Sequence, residues 1–85
     1  MPKLKQSAIS VAANVVQKNI TARGVYFGAR TDSDFAKLLS MPVSTYGDYR
    51  RDPRKWKLDR LIMAAMALKV PLAWLMTDHS GEIKE

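Results

Sequence analysis

The sequence of 85 residues contains no cysteine, which excludes disulfide bonds and thiolate metal sites. It has 1 histidine, and its longest apolar runs fall far short of the roughly 20 residues that a membrane span needs. It also lacks a glycine-rich phosphate loop, a cluster of His, Asp and Glu ligands and a nucleophile elbow. We therefore expect no catalytic residues, no metal and no cofactor, and a protein that is not an enzyme.

The shortness of the chain limits it to one hydrophobic core, so we expect residues 1–85 to form a single domain. Apolar residues make up 47% and charged residues 26%, a balance typical of a globular protein rather than a disordered one. The N-terminus has a basic start, but Asn14 interrupts its apolar run, which is untypical of a signal peptide. We expect a cytoplasmic protein.

Acidic residues are scarce: 8 of them face 14 lysines and arginines, giving a net charge of +6. The positive charge is concentrated in residues 1–30, with five cations and no acid, and in residues 50–60, with six cations and two acids. Such blocks favour a polyanionic partner, either nucleic acid or an anionic membrane. The N-terminal segment lacks the lysine-rich polar face and aromatic anchors of a membrane-surface helix, so we expect no membrane binding.

The first part of the chain has the spacing of a long helix over residues 7–28. Its apolar residues recur every three or four positions, which places them on one helical face. The members of this face are Ile9, Ala12, Ala13, Val16 and Ile20. Two shorter helices are the alternative, because the many β-branched residues lower the helix propensity of this segment.

The last part of the chain predicts two further helices, over residues 57–68 and 71–76, followed by a polar tail over residues 78–85. The first of these helices has the clearest amphipathic spacing in the sequence, and we expect its apolar face to lie in the core. That face consists of Leu58, Leu61, Ile62, Ala65 and Leu68.

Residues 31–51 contain two short predicted helices in tandem. Thr31 is a suitable N-cap for the first, and two aspartates in its first turn complement the positive end of the helix dipole. Pro42 ends this helix, because proline disfavours the helical conformation in the residue before it. The second helix runs from Val43 to Arg51 and stops at Asp52. Two short helices joined by a tight turn are the pattern of a helix-turn-helix unit.

In such a unit the second helix enters the major groove of double-stranded DNA while its inner face packs on the protein core. Tyr46 and Tyr49 are three positions apart and can form that inner face. The residues that then face the bases are Val43, Ser44, Gly47 and Asp48. Cations follow at once, where the chain leaves the groove and meets the phosphates. These cations are Arg50, Arg51, Arg54, Lys55, Lys57 and Arg60.

Several short motifs occur in order along residues 34–75. They are Phe35-Ala36, Ser44-Thr45-Tyr46, Ala65-Met66-Ala67-Leu68 and the Val-Pro-Leu with a closing Leu over residues 70–75. In this order they resemble the Cro/repressor-type (XRE) helix-turn-helix family. The sequence as a whole also resembles small prophage-encoded regulators. The resemblance covers about half of the chain, and all of it if residues 7–28 supply the first helix.

The resemblance implies an all-α fold, a compact five-helix bundle with a central helix-turn-helix, as in lambda-repressor-like DNA-binding domains. It also implies a sequence-specific DNA-binding transcriptional regulator that is often dimeric. Position by position, Val43, Ser44 and Asp48 match base-facing sites and Thr45 matches a phosphate contact. The chain differs from the family at Ser40, where a glycine with positive φ is usual.

A degenerate helix-turn-helix that acts as a protein–protein interaction module is the alternative function. For the regulator we expect a homodimer and no small-molecule effector, with the dimer surface on residues 8–20 or around Trp74. Three methionines are expected to fill gaps in the core, whereas exposed methionines would favour a partner surface. They are Met63, Met66 and Met76.

Overall fold

A computed structural model of the chain describes the backbone of residues 2–79 and the side chains of residues 10–79. Within these residues the chain forms five α-helices, one 3-10 helix and no strand, which confirms the all-α prediction. The α-helices are α1 (Pro2–Tyr26), α2 (Asp32–Leu38), α3 (Val43–Arg51), α4 (Leu58–Leu68) and α5 (Leu72–Leu75), and the 3-10 helix is Pro53–Lys55. None of the helices in this part of the chain has both the length and the apolarity needed to cross a bilayer.

The first helix is one long element, as predicted, but it spans Pro2–Tyr26 rather than residues 7–28. Proline is tolerated in a first turn, so the helix begins earlier than expected. It ends because Gly28 adopts a φ of +95°, a left-handed conformation that favours glycine. Val16 and Ile20 are buried as predicted, whereas Ala12 is exposed. The side chain of Ile9 lies outside the described residues.

Three helices end in the same hydrogen-bonded turn, the Schellman motif. After α1, the Ala29 N–H donates to the Gly24 carbonyl at 3.0 Å. The corresponding bonds after α2 and α4 are Met41 N to Ala36 O at 2.9 Å and Val70 N to Ala65 O at 3.0 Å. After α2 and α4 the left-handed residue is not glycine but Ser40 (φ 57°) and Lys69 (φ 60°), respectively. Ser40 therefore adopts a positive φ that is more usual for glycine.

The start of α2 is a capping box, which confirms Thr31 as its N-cap. Thr31 Oγ1 accepts a hydrogen bond from the Asp34 N–H at 3.2 Å, and the Asp34 carboxylate accepts from the Thr31 N–H at 3.2 Å. The Arg30 N–H donates to the same carboxylate at 3.0 Å. These bonds favour the ionised form, chiefly the one from Arg30, and lower the pKa of Asp34.

The core forms where α1, α2 and α3 meet, with α4 and α5 closing it. The rings of Phe35 and Tyr46 are nearly parallel, with centroids 5.3 Å apart and planes inclined by 3°. Gly24 lies against this stack, and a Cβ atom there would overlap the ring of Phe35. The absence of a side chain at Gly24 therefore sets how closely α1 approaches α2.

The buried face of α4 differs from the predicted one. The side chains that lie in the core are Leu61, Ala64, Ala65 and Leu68. Leu58 and Ile62 are 63% and 44% exposed, so their expected burial is wrong. The buried set also has the i, i+3, i+4, i+7 spacing, and its two alanines allow α4 to pack closely. The predicted core role of Met63, Met66 and Met76 is wrong as well, because all three are exposed.

The end of the described chain packs back on α1. The Asn19 side chain is buried, and its Nδ2 donates to the carbonyls of Leu75 at 2.8 Å and Thr77 at 2.7 Å. Of the predicted polar tail over residues 78–85, only the first two residues are described. His79 stacks on Trp74 with ring centroids 4.3 Å apart. Residues 80–85 lie outside the described residues.

We predict that Ser40→Gly stabilises the protein, because Ser40 is an exposed residue in a left-handed conformation that glycine adopts without strain. The free energy of unfolding should rise by about 0.5–1 kcal/mol, after allowance for the greater entropy of glycine in the unfolded chain. Thermal denaturation should show the melting temperature rising by about 2–8 °C.

Ser33→Gly is the matched control, because Ser33 is exposed within α2. The same replacement there should lower the free energy of unfolding by about 0.5 kcal/mol through helix propensity. A Ser40→Gly variant as unstable as the control would contradict the left-handed turn at Ser40.

Candidate nucleic-acid interface

The orientation of α3 is fixed from inside the core by Tyr46, which is 1% exposed. Its hydroxyl accepts a hydrogen bond from Gln17 Nε2 at 3.2 Å, and Gln17 Oε1 accepts from Trp56 Nε1 at 3.0 Å. Burial raises the pKa of Tyr46, so the hydroxyl stays protonated at neutral pH. Tyr49 is also buried and packs against Trp56 with ring centroids 4.6 Å apart. The prediction that these tyrosines form the inner face of α3 is confirmed.

The opposite side of α3 turns outward. Val43 is 51% exposed, and Ser44 and Asp48 are exposed. Thr45 is half-buried at the edge of this face. The expected outward direction of Val43, Ser44 and Asp48 is therefore confirmed, whereas their contact with bases stays a prediction.

Gly47 does not present an open surface, which corrects the expectation that it faces outward. It is buried, and the side chains nearest to it are those of Arg51, one helical turn later, and Asp32 of α2. A Cβ atom at Gly47 would lie 3.4 Å from Arg51 Nη1 and 3.7 Å from Asp32 Oδ2. Gly47 thus makes room for two charged side chains on the surface of α3.

Three of the predicted phosphate-binding arginines are ion-paired with aspartates. Arg50 binds Asp32 of α2 through two bonds, Nε to Oδ1 at 2.8 Å and Nη2 to Oδ2 at 3.0 Å. The hydrogen bond to Asp32 raises the pKa of Arg50. Arg51 Nη2 lies 2.7 Å from Asp48 Oδ1. The third pair joins Arg54 Nε to Asp52 Oδ1 at 3.3 Å.

Sequence reasoning missed these pairs, although two of them have a local signal. Asp48 and Arg51 are three positions apart on one helix, a spacing at which side chains meet. Asp52 and Arg54 are two positions apart, at the start of the 3-10 helix Pro53–Lys55. The Asp32–Arg50 pair joins residues 18 positions apart, and only the packing of α2 on α3 brings them together.

The two lysines of the predicted cluster, Lys55 and Lys57, are exposed. Among residues 10–79, neither has a carboxylate within 4.0 Å.

Arg54 lines a shallow apolar groove of about 170 Å³ together with Ala12 and Met76, which places Arg54 beside α1. Because exposed ion pairs contribute only about 0–1 kcal/mol, a phosphate can replace an aspartate as the partner of an arginine.

We predict that Gly47→Ala stabilises the protein. Alanine has a helix propensity about 1 kcal/mol better than glycine, and the nearest atom to the new Cβ belongs to the flexible, exposed Arg51. The free energy of unfolding in urea should rise by about 0.5–1 kcal/mol.

Gly24→Ala makes the same change in α1 and is the matched control. Its new Cβ atom would overlap the buried Phe35 ring, so the free energy of unfolding should fall by about 1–3 kcal/mol. Equal effects of the two substitutions would show that the surroundings of the two glycines do not differ as described.

Comparison of the chain with protein-family models, with curated proteins and with solved structures finds no match. The similarity to the Cro/repressor-type family therefore depends on the motifs along residues 34–75 alone, and the function that it implies stays a prediction.

Proposed function

We propose that the protein is a sequence-specific, DNA-binding transcriptional regulator of the phage or prophage type. In this proposal α2 and α3 form the helix-turn-helix, and α3 lies in the major groove of double-stranded DNA. The observation that carries the proposal is the outward face of α3, where Val43, Ser44 and Asp48 are exposed on a helix held from behind by Tyr46. These side chains are small or polar, so the backbone of α3 can approach the base edges of a groove about 12 Å wide.

The cations that follow α3 support the proposal by their position. Lys55 and Lys57 are exposed immediately after the helix, where they can contact phosphates and set the register of α3 on the duplex. Thr45, at the edge of the outward face, can donate to a phosphate. Regulation then follows from occupancy, since a bound protein blocks or recruits polymerase without any chemical step.

The number of phosphate contacts determines the salt dependence of binding. If only the three cations of the cluster without an ion pair among residues 10–79 displace counterions, namely Lys55, Lys57 and Arg60, the logarithm of the association constant should fall with the logarithm of salt concentration at a slope of about −2.7. If the three paired arginines also exchange aspartates for phosphates, the slope should reach about −5.4. The measured slope therefore reports how many ion pairs open on DNA.

We predict that selection from a pool of random duplexes at low salt enriches a palindromic sequence whose half-sites are about 10–10.5 base pairs apart, because a two-fold dimer presents two copies of α3. Lys57→Ala should weaken binding to all duplexes alike and reduce the salt slope by about 1. Lys37→Ala is the matched control: it removes the same charge from an exposed position of α2, away from the proposed contacts, and should change the salt slope less. No binding to any duplex at low salt would overturn the proposed function.

We further propose that the homodimer forms through the outward face of α4. Trp74, one of the two positions expected from the sequence, is half-buried against the core and stacks on His79. The outward face of α4 instead exposes four large apolar side chains. They are Leu58, Ile62, Met63 and Met66, the last of them 74% exposed. An apolar face of this kind favours burial against another protein.

Charge complementarity favours a second copy of α4, in antiparallel orientation, as the occupant of this face. In a two-fold interface, if residue i contacts residue j, then j contacts i. When Ile62 lies opposite Met66 of the second copy, Asp59 lies opposite Lys69 of the second copy. Neither Asp59 nor Lys69 has an opposite charge within 4.0 Å among residues 10–79. The antiparallel arrangement thus forms two symmetric Asp59–Lys69 ion pairs, one at each end of the interface. It also buries the exposed apolar side chains of both copies of α4.

We predict that Asp59→Lys weakens the dimer about tenfold, measured by sedimentation equilibrium, because it places like charges together at two symmetric positions. The double variant Asp59→Lys with Lys69→Asp should regain the wild-type dissociation constant. A double variant as weak as the single one, or a wild type that stays monomeric at high concentration, would remove α4 as the dimer surface. Circular dichroism checks that the variants remain folded.

The second candidate function is a protein–protein interaction module, and the exposed apolar face of α4 is the observation that favours it. A wild type that is monomeric and binds no duplex at low salt would support this candidate over the regulator. Retained duplex binding that is lost with Lys55→Ala and Lys57→Ala together would support the regulator.

A further inference from the structure

Arg51 is the last residue of α3, and the sequence predicts that it contacts a phosphate where the chain leaves the groove. Its side chain lies elsewhere. Helical side chains lean toward the N-terminus of their helix, and that of Arg51 runs back along α3. Its Nη2 lies 2.7 Å from Asp48 Oδ1, and its Nη1 lies 3.4 Å from where a Cβ of Gly47 would be. The guanidinium therefore lies over the middle of α3 rather than beyond its end.

This position places the guanidinium on the outward face that the proposed function turns toward the bases. Ser44 and Arg51 are seven positions apart, and both are exposed on the same side of α3, whereas the buried Gly47 lies at the edge of that side under the Arg51 guanidinium. Gly47 has no side chain that would push the guanidinium away from the helix. Asp48 accepts one of the five N–H groups of Arg51, whose side chain is 63% exposed. The remaining donors are available to a ligand in front of α3.

We propose that Arg51 reads a guanine in the major groove and that Asp48 is the positioning residue that presents it. The inference rests on the proposed function and names the base that α3 recognises. Guanine presents two adjacent acceptors, O6 and N7, which match the fork of two arginine N–H groups. A phosphate offers the same guanidinium a competing partner, but the Asp48 carboxylate repels phosphates and so favours the base.

Arg50 provides the contrast on the same helix. It donates two hydrogen bonds to Asp32, and this pair joins α3 to α2. Its guanidinium is held at the boundary between the two helices by the Asp32 carboxylate, which also lies near Gly47. Arg50 therefore acts in packing, and Arg51 in recognition.

The experiment is a selection from random duplexes with the wild type and with Arg51→Ala, followed by titration of single duplexes. The wild-type consensus should contain a guanine at one fixed position of each half-site. Arg51→Ala should lose the preference at that position alone. Its dissociation constant for the guanine duplex should rise about 5- to 150-fold, while that for a duplex with another base there should change less than about twofold. Arg51→Lys should not restore the preference, because lysine has no planar fork.

Asp48→Asn tests the positioning role, because it keeps the size of the side chain and removes its charge. The affinity for the guanine duplex, divided by the affinity for a duplex with another base at that position, should fall. The salt slope should become steeper by about 1, since the released Arg51 contacts phosphate. In the Arg51→Ala background, Asp48→Asn should have no further effect on the preference at that position; an additional loss there would overturn the positioning role.

The outcomes separate this inference from the proposed function. If Arg51→Ala weakens all duplexes equally and reduces the salt slope by about 1, Arg51 is a phosphate contact and the inference is overturned while DNA binding stands. If the wild type enriches no sequence, the proposed function fails and the inference fails with it. Circular dichroism and thermal denaturation of each variant exclude loss of folding as the cause.

Discussion

The side chain of Tyr46 is the constraint on which the surface of α3 depends. Its ring is stacked on Phe35, and its hydroxyl is held by Gln17, which in turn accepts a hydrogen bond from Trp56. A buried hydroxyl or amide without a partner would cost about 1–3 kcal/mol, so this network disfavours any rotation of α3 that breaks it. Once one residue of a helix is fixed inward, the outward residues are fixed as well. Ser44 and Asp48 face solvent for this reason.

The ion pairs change how positive charge can act in the proposed interface. An arginine paired with an aspartate attracts phosphates less than a free one, yet it keeps most of its hydrogen-bond donors. In the proposed complex, nonspecific attraction would depend mainly on Lys55, Lys57 and Arg60, and discrimination between sequences would depend on the side chains that face the groove. A protein in which few cations are free to bind phosphates has a low affinity for random DNA. Each correct base contact then makes a larger difference between its affinity for the specific sequence and its affinity for random DNA.

The sequence was sufficient where local chemistry decides the structure, and insufficient where packing decides it. Thr31 and Pro42 predict the bounds of α2 because capping and proline geometry act within a few residues. The rotation of α4 could not be predicted, since apolar residues occupy nearly all of its sides and two overlapping sets fit a helical face. The Asp32–Arg50 pair is likewise a product of tertiary packing. Asp48 and Arg51, at i and i+3, were within reach of sequence reasoning.

Gly47 and Asp48 are each unfavourable for a DNA-binding helix when they are considered separately. Glycine within a helix costs about 1 kcal/mol relative to alanine, and an acid on the proposed DNA-binding surface would repel phosphates. Both features are consistent with one arrangement, because Arg51 lies over the glycine and is held by the aspartate. A bulkier residue at 47 would move the guanidinium away from the helix, and a neutral residue at 48 would remove the ion pair that holds it there. The two residues therefore act together to fix the position of a third.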